Sequence, residues 1–96
     1  MKSLLKYSQK LTIQNRYLIQ FTIHEIADLA KYPDGIKYRL ICVDTKNKKK
    51  VLLDNHHPKG PHIHIDNLEL PYEFISEEKL IEDFKRLVFD HLEIKI

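Results

Sequence analysis

Hydrophobic positions change their spacing along this chain, and the change divides it into two kinds of structure. From Leu4 to Ile13 the pattern is loose, with Leu5, Tyr7, Gln9 and Leu11 on one side, as in a first, largely polar strand. Gln14-Asn15 supplies turn chemistry. Next, Tyr17, Ile19, Phe21 and Ile23 alternate with Leu18, Gln20, Thr22 and His24. Strict alternation in a β-branched and aromatic segment is the strongest strand signal in the sequence. Residues 27–35 form a connection that ends on Pro33-Asp34-Gly35. Ile36 to Asp44 alternates again, with Tyr38, Leu40 and Cys42 on one face and Lys37, Arg39, Ile41 and Val43 on the other. Thr45 to Lys49 is polar and fits a hairpin loop, and Val51 to Asp54 returns as a fourth strand. Pro58-Lys59-Gly60-Pro61 cannot be helical, and alternation resumes from His62 to Asp66.

Beyond Pro71 the period lengthens. Ser76 is a good N-cap, and Glu77 and Glu78 favour a helix start. Leu80, Ile81, Phe84, Leu87, Val88 and Leu92 then recur at helical spacing, which predicts a helix over about 77–91. The predicted fold is α+β: a four- to five-stranded, mostly antiparallel sheet packed against one C-terminal helix. Ninety-six residues predict a single domain spanning 1–96. A chain of this length buries roughly 60–70% of its unfolded surface, for a net stability on the order of 5–14 kcal/mol.

Composition narrows the classes. Hydrophobic residues at 43% and charged residues at 31% describe a globular chain rather than a disordered one. The single cysteine, Cys42, lies in an apolar run, so it is expected as a small buried hydrophobe, and a reducing cytoplasm fits. The N-terminus has no signal-peptide pattern, and no run reaches transmembrane length, so no membrane is expected. There is no P-loop, GxGxxG, GxSxG or CxxC motif. Net charge is only +2. It divides as twelve Lys/Arg against five Asp/Glu in residues 1–65 and four against nine in 66–96, or +7 and −5. A basic body suits a polyanion, and intramolecular pairing with the acidic segment explains the split equally well.

The candidate chemistry lies in Asp54-Asn55-His56-His57-Pro58-Lys59-Gly60-Pro61-His62-Ile63-His64-Ile65-Asp66, which holds four of the six histidines. Histidine changes charge near neutral pH and ligates metals readily. In a strand, His62 and His64 share one face while Ile63 and Ile65 anchor the other. Three readings stay open. In the first, His62 and His64 are general acid and base, Lys59 and Arg39 bind phosphate, and Asp54 orients an imidazole. His56 extends the catalytic set. Asn55, His57 and Tyr72 extend the substrate contacts, and Gly60 lets backbone approach a ligand. In the second, two or three histidines with Asp54 or Asp66 bind a divalent ion, with no third ligand fixed by spacing. In the third, the histidines only satisfy hydrogen bonds. His24 and His91 read as structural, and the Lys46–Lys50 run as a solvated hairpin tip rather than a nucleic-acid contact.

K-Y-R-L at 37–40, D-N-H-H-P-K-G-P-H-I-H-I at 54–65, E-L-P-Y-E-F at 69–74 and S-E-E-K-L-I-E-D-F at 76–84 come in an order that resembles the TumE-like toxin family of bacterial type II toxin–antitoxin systems. The likeness covers about residues 36–90. It implies a growth-inhibiting toxin paired with a helix-turn-helix antitoxin from an adjacent gene. The family motif falls on Asp54, Asn55, Lys59, Gly60, His62 and His64, then Pro71, Tyr72 and Phe74, then Asp83 and Phe84. Relatives often carry a second basic residue between the two histidines, where this chain has Ile63, and His56 and His57 are additions. For so small a toxin the usual expectation is a ribonuclease. The resulting expectation is a toxin cleaving RNA without metal or other cofactor. The alternatives are a non-catalytic module that binds protein or nucleic acid, and a His/Asp metal-binding protein. Toxins of this size often dimerise, and an exposed first strand offers an edge for pairing.

Overall fold

The computed structural model describes residues 3–96. Six strands run in chain order across one antiparallel sheet: β1 (Ser3–Ile13), β2 (Tyr17–Ile26), β3 (Ile36–Asp44), β4 (Lys50–Asp54), β5 (His62–Ile65) and β6 (Leu68–Pro71). One helix, α1 (Glu77–Leu92), follows. The sheet therefore has one strand more than the largest number predicted. The additional strand is Leu68–Pro71, a segment to which the sequence reading assigned no element. Proline is tolerated there because β6 lies at the edge of the sheet, where a missing N–H leaves no ladder bond broken. The turn before it starts at Asp66, in the left-handed region at φ 55°, so strand β5 stops at Ile65 rather than at Asp66.

Register divides the side chains cleanly between two faces. Ile19, Cys42, Val51 and Ile65 lie abreast, as do Phe21, Leu40, Leu53 and Ile63. This apolar face packs under α1, which lies over β3 and β4 and buries Leu80, Phe84, Val88 and Leu92 against it. Phe84 meets Phe21 edge-on, with ring centroids 5.3 Å apart. Helix α1 begins where predicted. The Ser76 hydroxyl accepts the Lys79 N–H at 3.0 Å, and the acidic first turn faces the positive end of the dipole. Cys42 is fully buried and its thiol is pushed up to about 11 by burial, which makes it inert as a nucleophile.

The charged groups on the covered face are paired within the protein, while the Tyr38 hydroxyl is buried there without a hydrogen-bond partner. Arg16 donates two hydrogen bonds to Asp44, at 2.8 and 2.7 Å, and these hold the Asp44 carboxyl at about 2. Near the same C-terminal end of the helix, His91 Nε2 lies 2.9 Å from Asp66 Oδ2, while Asp66 Oδ1 accepts the Lys50 N–H at 2.8 Å. The C-terminus of α1 is thereby clipped to the β5–β6 turn.

Candidate functional site

The face of the sheet that α1 leaves uncovered carries the histidines. Across it, Thr22, Arg39, Asp54 and His62 stand in register on β2, β3, β4 and β5, and the neighbouring row runs Gln20, Ile41, Leu52, His64 and Glu69. Alternation sends His62 and His64 to this side together, as predicted. Their rings meet edge-on at 4.6 Å.

The loop before β5 sets the first ring. Gly60 adopts φ +79°, a conformation that side chains disfavour, and its N–H donates to the His56 carbonyl at 3.1 Å. Its own carbonyl faces His62 Nδ1 at 2.6 Å. A carbonyl only accepts, so Nδ1 carries the hydrogen. That leaves Nε2 turned toward the facing residue on β4, with Asp54 Oδ1 2.9 Å away. Asp54 Oδ1 is buried and no donor is aligned with it, so this approach is not a directed hydrogen bond. His62 is only 6% exposed. His64 is half-buried, and is thus the more accessible of the two.

Glu69 is the site residue that the sequence reading missed. On β6 it stands directly opposite His64. Lys59 bridges its two carboxylate oxygens, at 2.8 and 2.9 Å, and this hydrogen bond holds the Glu69 carboxyl below its usual range. One signal was available. Asp66-Asn67 followed by Leu-Glu-Leu is a turn and a short alternating strand, and a two-residue loop puts position 69 across from 64. Ligand atoms of His62, His64 and Glu69 lie within 4.8 Å of one another. Arg39 is exposed one strand away from Asp54.

Other predicted residues lie elsewhere. Asn55 is buried on the covered side, where its Oδ1 accepts the Tyr38 N–H at 2.9 Å and its Nδ2 donates to the Ile36 carbonyl at 2.8 Å. It extends β4's pairing with β3 by side chain instead of backbone. Tyr72 also faces the helix: its hydroxyl donates to Asp83 Oδ2 at 2.7 Å. Burial raises both the Tyr72 hydroxyl and the Asp83 carboxyl. For Asp83 the hydrogen bonds from Tyr72 and Lys79 outweigh burial and leave it below its usual range. His56 and His57 are exposed on the loop, and the His57 N–H donates to the Tyr32 hydroxyl at 3.3 Å. The exposed Lys46–Lys49 turn is at the opposite end of β4 from Asp54.

A small antiparallel sheet covered on one side by a helix, with an imidazole pair on its open side, defines the chain as an α+β protein. The family model described as "Toxin TumE" matches residues 2–92, nearly the whole chain, and the chain belongs to that family. Membership in a toxin family implies an antitoxin partner. No curated protein matches the chain, and neither does any solved structure. Among the described residues no helix is long and apolar enough to cross a membrane.

Proposed function

We propose that this toxin arrests growth in the cytoplasm by cutting RNA without a metal ion, and that a helix-turn-helix antitoxin from an adjacent gene restrains it. The observation that carries this reading is the His62–His64 ring pair, 4.6 Å apart, beside Asp54 and in register with Arg39. In the cleavage, a base removes the ribose 2′-hydroxyl proton and the 2′-oxygen attacks phosphorus. The P–O5′ bond breaks, and an acid protonates the departing 5′-oxygen. His64, the more accessible ring, meets the substrate. His62 takes the other role of the acid–base pair once its Nε2 turns from Asp54 toward the substrate. Arg39 supports the charge on the phosphorane. Lys59 joins it on releasing Glu69.

The test is cleavage of a mixed RNA by purified protein in EDTA, alongside growth arrest on induction. His64→Ala should lower the cleavage rate by about 10²–10⁴-fold while the protein stays folded. Undiminished cleavage by that variant sinks the mechanism. A second reading, a non-catalytic binding module, is favoured by one observation: Lys59 and both nitrogens of His62 are already engaged within the protein. It predicts RNA binding that weakens with salt and no cut product.

A further inference from the structure

We propose that His62, His64 and Glu69 form a binding site for a divalent transition-metal ion of the zinc class. Three features on the open face converge on it. First, their ligand atoms already lie within 4.8 Å of one another. Two ligands of a tetrahedral zinc ion stand about 3.4 Å apart, given bonds of roughly 2.0–2.2 Å. The ligand atoms therefore need to draw together by at most about 1.4 Å to hold such an ion. Second, His62 donates Nδ1–H to a backbone carbonyl, the outer partner that fixes a metal-binding imidazole with Nε2 as the ligand atom. Beside that Nε2 lies Asp54 Oδ1, a buried carboxylate oxygen with no aligned donor, which a cation there would satisfy. Third, the site already holds a positive charge, since Lys59 sits across both oxygens of Glu69. Two imidazoles with a carboxylate suit zinc, nickel or cobalt better than magnesium or calcium, which prefer oxygen alone.

Lys59 is then a built-in competitor. It must leave Glu69 before the ion takes the carboxylate, so affinity is set by an exchange of one cation for another. A consequence rests on the nuclease reading above: an ion on both imidazoles withdraws the acid and the base together, so zinc switches cleavage off.

The first experiment is calorimetric titration of the purified full chain with zinc chloride, repeated by cobalt(II) absorption in the visible. One equivalent should bind. His64→Ala and Glu69→Gln should each weaken binding by at least about tenfold, and Lys59→Met should tighten it. Thermal melts confirm that the variants are folded; Glu69 is exposed on an edge strand, so the fold does not depend on it. Absence of saturable binding overturns the site. So does an affinity indifferent to His64→Ala and Glu69→Gln, or one lost only in a His56→Ala/His57→Ala variant. Unchanged affinity in Lys59→Met overturns the competition. The RNA assay keeps the two readings separate. Zinc binding at one equivalent without cleavage under any condition supports the metal site and sinks the nuclease. Cleavage by a chain that binds no zinc sinks the metal site alone.

Discussion

The two faces of this sheet are built from the same strands and treat carboxylates in opposite ways, although each buries one polar atom without a partner, the Tyr38 hydroxyl on the covered face and Asp54 Oδ1 on the open one. On the helix-covered face Asp44 is neutralised by Arg16, both ends of the Asn55 amide are paired, and Asp83 is bonded by Tyr72, Lys79 and Arg86. On the open face an Asp54 oxygen is buried without an aligned donor, two imidazoles touch edge-on, and an arginine stands exposed one strand away. Satisfied polar groups stabilise a fold, whereas groups left partly unsatisfied are available to a ligand. Alternation lets one strand do both, because residues one apart along β4 or β5 belong to different faces.

Three substitutions probe this contrast. The largest effect on stability is expected from Phe84→Ala on the covered face, where a fully buried ring is lost from between the helix and Phe21. Urea denaturation should show a loss of about 3–5 kcal/mol. A loss under ~1 kcal/mol would mean that α1 contributes little to the core. Next comes Asn55→Ala, which strands a buried Tyr38 N–H and the Ile36 carbonyl at the cost of about 1–3 kcal/mol. If that variant is instead fully stable and inactive, Asn55 belongs to the functional face after all. The smallest effect should come from Arg39→Ala: stability within about 0.5 kcal/mol of the parent, combined with weaker RNA binding. A clear loss of stability there would erase the distinction between the faces.

The sequence carried the contrast only in part. Alternation in β2 and β3 and the helical spacing after Ser76 announced the covered face, because hydrophobic burial writes its period directly into residue order. His62 and His64 were assigned to one face for the same reason. Asn55 and Tyr72 each follow the last residue of a strand, Asp54 and Pro71, and turn to the covered side, which residue type alone does not announce. Asn55 looks like a binding residue by type and acts as a substitute for backbone pairing. Glu69 was hidden because its relation to His64 exists only through strand pairing, and the short strand that creates the pairing ends on a proline.

The order of strands also bears on how the chain acquires its shape. Every strand pairs only with its neighbours in sequence, so each ladder forms by closing a short loop, and no pairing waits for a distant segment. Residues 27–35 make the longest connection between paired strands. As synthesis proceeds, the hairpins that carry Arg39, Asp54 and His62 are complete before α1 emerges. Until that helix arrives, the apolar side of the sheet is bare. The nascent chain thus completes its histidine-bearing face first and covers its core last.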